Sequence, residues 1–240
     1  IEFIILTINE LGYMTTNNKI TALIAVKGNS ERVEKKNVRP FADSSLLQIK
    51  LEQIQSLNVF DEIIVSSESD DVLAMCEPFD VITHKRDSFY STSHVPMSSV
   101  YEHLAELVKT KYIAWIPVTN PLVGGEIYED AVKSFTSMNH DVYDSLVSVN
   151  NVREYLYHNG KPLNFSLDPW PRSQDLSGTY SINFAINIIS KKDMINNRAT
   201  IGNNPYFFVI EKDIAIDIDY MEDFILAETL YKSRRSKNDS

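Results

Sequence analysis

The chain has 240 residues, 43% of them apolar, with a formal net charge of -10, which suffices for one large domain with a sizeable core. That acidic balance excludes a broad nucleic-acid-binding face, because such a face needs an excess of Lys and Arg over the phosphates it covers. One cysteine, Cys76, excludes an intramolecular disulfide and suits a reducing cytoplasm; no apolar run approaches the roughly 18 residues of a bilayer span, so no membrane is expected.

The opening IEFIIL has no basic region before it and no small-residue cleavage site after it, which argues against a secretion signal. The first methionine is Met14, and MTTNNKITALIAV reads as a natural start. Residues 1–13 are therefore expected to be an upstream extension, ahead of a single domain over 14–232. Apolar runs of strand length alternate with segments of helical period, which predicts an α/β fold of three layers, a mostly parallel sheet with helices on both faces.

TALIAV reads as a central strand, apolar throughout because both of its faces are covered. Asp43 or Ser44 can cap a helix whose Leu47, Leu51, Ile54 and Leu57 form one stripe. EIIVSS is the next strand, followed by a short helix from Val72 to Cys76 and the strand DVITH. Pro96 suits the first turn of a helix that carries Val100, Leu104 and Leu107 to Val108. YIAWIPV is a strand, a helix ends near Phe135, and SLVSV is a strand.

Residues 150–175 interrupt this rhythm. Asn159-Gly160 is a hairpin turn signal, and the Tyr and Trp content suits a partner interface or a small satellite core. SINFAINII then reads as a strand, FFVIEKDIAIDID as a strand pair or one bent strand, and a closing helix is predicted from about Met221 to Leu230. Residues 233–240 are expected to form a polar tail.

Between Lys27 and Arg39, directly after the first strand, stand five basic and two acidic residues. In an open parallel sheet, ligands gather at the carboxyl ends of the strands. Lys27, Arg32, Lys35, Lys36 and Arg39 could therefore hold a small polyanion such as a nucleoside triphosphate, with Gly28 permitting a close turn and Asn29 and Ser30 donating. The loop is neither a G-x-x-x-x-G-K-[ST] phosphate loop nor a three-glycine dinucleotide fingerprint; by charge alone, a solvated loop reads the same. In DIAIDID, strand alternation puts Asp217 and Asp219 on one side, about 7 Å apart. Two such carboxylates can share a divalent ion, and Mg2+ suits oxygen ligands and phosphate. A solvated edge strand is the alternative. The five histidines show no metal-ligand spacing.

KGNSERVEKKN resembles the signature loop of the acylneuraminate cytidylyltransferase (CMP-sialic acid synthetase) family, A-R-x-x-S-K-x-x-x-x-K-N. Ser30, Lys36 and Asn37 fall in register, and Lys27 stands for the Arg. IDIDYMEDFILAE is similar to the family's closing I-D-[IT]-D and D-x-x-x-A-E at Asp217, Asp219, Asp223, Ala227 and Glu228. RSQDLSGTYSINFAINII resembles R-x-Q-D-L-P-x-x-Y-x-x-N-G-A-I-Y-I at Arg172, Gln174, Asp175, Tyr180, Asn183 and Ala185, with Phe184 in place of Gly and Asn187 in place of Tyr. Looser matches keep Arg86, Thr119, Pro121 and Leu122, and depart at Ser93, Pro117 and Val123. The resemblance covers about residues 21–228.

The resemblance implies a nucleotide-diphospho-sugar transferase-like fold and a Mg2+-dependent nucleotidyltransferase. It would join CTP to an acidic 2-keto sugar, giving a CMP-sugar and pyrophosphate, as a homodimer formed through the excursion 150–175. By carry-over, Lys27, Gly28, Asn29, Ser30, Lys36, Asn37 and Arg86 bind the nucleotide and Asp217 and Asp219 bind the metal. Lys27, Lys36, Asp217 and Asp219 serve catalysis, and Arg172, Gln174 and Asn183 contact the sugar, Arg172 meeting its carboxylate. Asp223 is expected to cap or brace the last helix. Two other readings stay open: a nucleotide-sugar glycosyltransferase, which shares a D-x-D pair but has no need of the cationic loop, and a non-catalytic nucleotide- or sugar-binding homologue, motivated by the residues at 27, 93, 117, 123 and 184.

Overall fold

The computed structural model describes residues 19–238; the expected extension 1–13 and the start at Met14 lie outside the described residues. A seven-stranded sheet forms the middle layer, in the order β3-β2-β1-β4-β8-β5-β9. Its strands are β1 (Ile20–Ala25), β2 (Glu62–Ser67), β3 (Ile82–Lys85), β4 (Tyr112–Trp115), β5 (Ser145–Asn151), β8 (Tyr180–Ser190) and β9 (Pro205–Val209). A detached hairpin supplies β6 (Tyr157–His158) and β7 (Lys161–Pro162). Strand β1 runs parallel to both β2 and β4, with Ala22 opposite Ile63 and Ala114. Both of its faces are packed, and Ala22, Leu23 and Ile24 have no exposed surface, which is why its sequence is apolar without alternation. Only β8 runs antiparallel to its neighbours β4 and β5, whereas β9 returns parallel to β5.

Among the described residues, six α-helices cover the sheet: α1 (Leu46–Gln55), α2 (Asp70–Ala74), α3 (Met97–Leu107), α4 (Gly125–Ser137), α5 (Lys191–Asn197) and α6 (Met221–Asn238). Leu47, Leu51 and Ile54 of α1, Tyr128 and Phe135 of α4, and Phe224 and Ala227 of α6 enter one core. Val100 and Leu104 of α3 and Met194 of α5 enter a second, with Leu23, Ile113 and Trp115 of the sheet. Two cores on opposite faces make the three layers that the alternating pattern predicts.

Three boundaries differ from the sequence reading. Helix α1 is capped by Ser45, whose Oγ accepts from the Gln48 N–H at 3.3 Å, rather than by Asp43 or Ser44. Ser44 is already committed, exchanging backbone hydrogen bonds with Phe41 at 2.9 and 3.0 Å. Pro96 is the N-cap of α3, not its first-turn residue. Helix α6 runs on to Asn238 through residues assigned to a tail, and Arg234 pairs with Asp213 at 2.9 Å.

The segment DIAIDID is not a strand. After β9 the Ile214 and Ala215 N–H groups both donate to the Glu211 carbonyl at 3.0 Å, which turns the chain away from the sheet. Ala215 and Ile218, three apart, are the residues that bury. The segment is pinned instead by single contacts: the Ile218 N–H donates to the Thr119 carbonyl at 3.0 Å, and Asp223 accepts from the N–H groups of Asp219 and Tyr220 at 3.1 and 2.8 Å. Asp223 thus caps the start of α6, as expected.

Asn159 and Gly160 both have positive φ, 50° and 74°, the backbone of a tight two-residue hairpin turn. Around the hairpin, Tyr155, Tyr157, Phe165 and Trp170 stack edge-on and tilted, with centroids 5.0–5.4 Å apart. Among the described residues, no helix is long and apolar enough to cross a membrane.

Candidate functional site

A cleft of about 420 Å³ opens at the carboxyl ends of β1 and β4, where an open α/β sheet gathers its ligands. It is lined by Lys27, Asn29, Ser30, Glu31, Arg32, Lys36 and Asn37 from the loop after β1, by Ser91 and Ser93, and by Pro117 and Thr119 beyond β4. These seven residues of one loop therefore face one cavity, and three of them are cations. The loop keeps its shape through short-range turns: Arg39 N–H donates to the Lys35 carbonyl at 2.9 Å, and Leu47 N–H to the Asn37 carbonyl at 3.0 Å. Asn37 closes its neck, Nδ2 donating to the Lys27 carbonyl at 3.2 Å. The other end of that amide, Oδ1, is buried with no hydrogen-bond partner among the described residues.

Gly28 is required by close approach. A Cβ there would meet Ser69 Cβ at 2.5 Å, and its N–H donates to Glu68 Oε1 at 2.8 Å. Glu68 in turn receives Arg86 at 3.0 Å and the Ser91 hydroxyl at 2.8 Å. Arg86 also donates to the Val26 carbonyl at 2.9 Å and to Ser91 at 3.2 Å. Burial pushes the Glu68 carboxyl up, but the Gly28 N–H, Ser91 and Arg86 outweigh it and hold it below the usual range. Arg86 is 2% exposed: the structure puts it beneath the cleft, bracing the loop that carries Lys27, and not among the residues that line it.

A second buried basic side chain braces the loop after β4. Lys50 of α1 donates to the carbonyls of Asn120 and Val123 at 2.9 and 3.4 Å and to the Tyr128 hydroxyl. Burial depresses its pKa well below the usual lysine value. Asn120 then reaches the carbonyls of Asn183 and Ala215 at 3.3 and 3.5 Å, joining the loop after β4 to β8 and to the aspartate segment. Nothing in the local sequence signals this knot; a lysine in an amphipathic helix normally faces water.

The aspartates and the cationic loop meet. Arg32 pairs with Asp219 at 2.7 Å and lies 5.3 Å over the Tyr220 ring. Lys36 stands 3.9 Å from the same carboxylate and donates to the Ile218 carbonyl. Asp217 is hydrogen-bonded by Thr119, yet its Oδ1 is buried with no partner among the described residues. Burial raises the Asp217 pKa, against the lowering by Thr119, and Asp219 raises it further. Burial also lowers Lys36, against the pull of Asp217 and Asp219. A self-sufficient ion pair would shift the two the other way, so here burial outweighs pairing and both charges are left under-compensated.

Among the described residues, no group of three or more His, Cys, Asp and Glu is placed to hold a metal by itself. The donor set at the aspartates is two carboxylates with one orphaned buried oxygen. That suits a hard divalent ion completed by phosphate and water oxygens.

The residues carried over for the sugar stand apart from the cleft. Arg172 is exposed and grips Asp175 through two bonds of 2.7 and 2.9 Å, and Gln174 is exposed. Asn183 is buried, donating to Asn150 Oδ1 at 2.7 Å and accepting from the Ala185 N–H at 3.2 Å. It opens a bulge in β8, where the register slips between Val147 and Val149. Phe184 follows with φ of 54°, a conformation costly for a residue with a side chain, and the residue is 39% exposed.

Comparison with known proteins agrees with this geometry. The cytidylyltransferase family model matches residues 21–235. N-acylneuraminate cytidylyltransferase A of Danio rerio is 25% identical over 215 residues, 87% of this chain and 50% of the relative; the chain thus spans about half that protein's length. Pseudaminic acid cytidylyltransferase of Campylobacter jejuni is 21% identical over 224 residues, 89% of this chain and 97% of the relative. Among solved structures, a CMP:2-keto-3-deoxy-manno-octonic acid synthetase complexed with CTP superposes with a TM-score of 0.68 at 11% identity, over 90% of this chain and all of that one.

Proposed function

The chain belongs to the cytidylyltransferase family, and from that premise we propose that it joins CTP to an acidic 2-keto sugar of the sialic-acid-like type, giving a CMP-sugar and pyrophosphate. The observation that carries this reading is the convergence of Lys27, Arg32, Lys36 and Ser30 on one cleft, with Asp217 and Asp219 at its margin, in a chain of net charge -10. A triphosphate is attracted to that cleft and repelled by most of the remaining surface. The sugar class rests on the substrates in the names of the relatives, N-acylneuraminate and pseudaminic acid.

Each residue has a task set by its position. Lys27 and Lys36 neutralise the phosphates, and Ser30 and the loop N–H groups donate to their oxygens. Asn37 Oδ1, buried and unpartnered among the described residues, accepts from the nucleoside. The sugar hydroxyl attacks the α-phosphorus in line as the bond to pyrophosphate breaks, so that positioning and charge stabilisation carry most of the rate. Asp217 and Asp219 would hold Mg2+, which when bound supplies positive charge at the phosphate oxygens and lowers the pKa of a hydroxyl beside it. Arg86 acts at one remove, by fixing the loop from below. By the family resemblance, Arg172 with Gln174 is the candidate for the sugar carboxylate, exchanging Asp175 for the ligand, although within the single chain both stand outside the cleft.

The aromatic cluster of the excursion leaves Trp170, Leu163 and Leu167 each more than half exposed. We assign this surface to a homodimer interface. Pyrophosphate release on mixing the protein, Mg2+, CTP and a panel of acidic nine-carbon sugars tests the function. Turnover on one of them with CTP, and not with UTP or ATP, is expected. CTP binding without turnover on any acidic sugar would instead establish a non-catalytic homologue.

A further inference from the structure

The two aspartates of the proposed metal site are not equivalent. Asp217 has an oxygen with no partner among the described residues, whereas Asp219 Oδ1 is held by Arg32 at 2.7 Å with Lys36 at 3.9 Å. Arg32 itself is half exposed, rests against the Tyr220 ring at 5.3 Å and lines the cleft assigned to the triphosphate. Its guanidinium therefore stands between two acceptors, a carboxylate present in the chain and a phosphate that arrives with the ligand.

We propose that Arg32 is a built-in counter-ion of Asp219 that must be exchanged on loading: a divalent ion displaces it from the carboxylate, and the triphosphate receives it. The inference rests on the reading of the cleft as a metal–triphosphate site. A guanidinium and a divalent ion compete for the same carboxylate, because Asp219 Oδ1 already carries Arg32 at 2.7 Å with Lys36 close by, and a third cation there is repelled by both. Metal arriving alone must break the Arg32 pair and the ring contact with nothing in return. Metal arriving with triphosphate does not, because Arg32 gains phosphate oxygens, which a planar guanidinium grips at least as well as a carboxylate. Metal and nucleotide thus become linked through one side chain, and by thermodynamic reciprocity each strengthens the other by the same factor. An exposed ion pair and a cation–π contact together set that factor at about five- to tenfold.

The test uses Mn2+ as probe, titrated by electron paramagnetic resonance against the whole protein and against Arg32→Gln, Arg32→Lys and Asp219→Asn, with CTP affinity measured separately in EDTA. Arg32→Gln is expected to bind Mn2+ alone about five- to tenfold more tightly than the parent while binding metal-free CTP more weakly, and Arg32→Lys to lie between. Asp219→Asn should weaken Mn2+ binding and cancel the gain from Arg32→Gln when the two are combined. Equal Mn2+ affinities for the parent and Arg32→Gln, with Asp219→Asn still weakened, overturn the exchange and leave the metal site standing. Mn2+ binding that ignores Asp219→Asn and Asp217→Asn alike overturns both. Thermal denaturation of each variant separates a binding change from a loss of fold, since Arg32 is on the surface.

Discussion

The two halves of the sheet use their carboxyl ends differently. On the β1–β4 side two basic side chains are buried beneath the cleft-lining Lys27, Arg32 and Lys36 and are answered from within the chain: Arg86 by Glu68, Ser91 and the Val26 carbonyl, Lys50 by two carbonyls and a phenol. On the β8–β5–β9 side the charges are exposed and paired locally, Arg172 with Asp175 and Lys212 with Glu154 at 2.6 Å. There the large apolar side chains Tyr180, Ile182, Phe207 and Val209 also face outward. The difference teaches that one half is a floor whose buried charges are answered before any ligand arrives, while the other exposes apolar area of the kind that the proposed homodimer would cover.

Breaking the floor should cost the most. Glu68→Ala strands the Arg86 guanidinium at 2% exposure and is expected to lower unfolding stability by roughly 3–5 kcal/mol. Urea denaturation reads this directly, and a loss under about 1 kcal/mol would show that the network is not closed as described.

The other half should respond in the opposite way. Trp170→Ala removes a ring that is 56% exposed, so the folded monomer should lose little. Self-association should weaken by about 2 kcal/mol, the scale of an aromatic hot spot. Sedimentation equilibrium separates the two; a large drop in melting temperature with unchanged association would make the cluster a satellite core.

The smallest effect sharpens the comparison, because it has the reverse sign. Asp217 is half-buried, with Oδ1 buried and its pKa raised, so its contribution to stability is present at low pH and is lost as pH rises through its folded value. Asp217→Asn should therefore make the ligand-free protein more stable at neutral pH, by about 1 kcal/mol. The gain should shrink as pH falls below the carboxylate range, where Asp217 is protonated both folded and unfolded. Glu68, whose pKa is lowered, behaves in the ordinary way: its stabilisation holds above the usual carboxylate range and is lost as pH falls through its folded value. Melting curves of the parent and Asp217→Asn at neutral and acid pH would expose this opposition. An Asn variant less stable at both would mean that Asp217 is compensated within the chain.

What was legible in the sequence was whatever is decided locally. The unbroken apolarity of β1, the Leu47, Leu51 and Ile54 stripe of α1, the Asn159-Gly160 turn and the Asp223 cap each follow from a few neighbouring residues. What was not legible depends on pairing at a distance. DIAIDID alternates like a strand, but no sheet edge receives it; the Glu211 carbonyl captures two N–H groups and the chain leaves β9 in a turn. The antiparallel entry of β8 between β4 and β5 has no local signal, since its inner residues Ala185, Ile186, Ile188 and Ile189 would read alike in either direction. Arg86 matched a family pattern as a nucleotide contact, yet burial, which sequence does not display, placed it under the loop. Lys50 carried no signal at all.

The central claim is that the loop after β1 and the two aspartates form one metal–triphosphate site. Calorimetric titration of CTP, with Mg2+ and with EDTA, into the parent, Lys36→Ala and Asp217→Ala tests it most directly. The account predicts that Lys36→Ala weakens CTP under both conditions, and that Asp217→Ala abolishes the Mg2+-dependent gain while sparing the metal-free affinity. Parent-like titrations for both variants would contradict it.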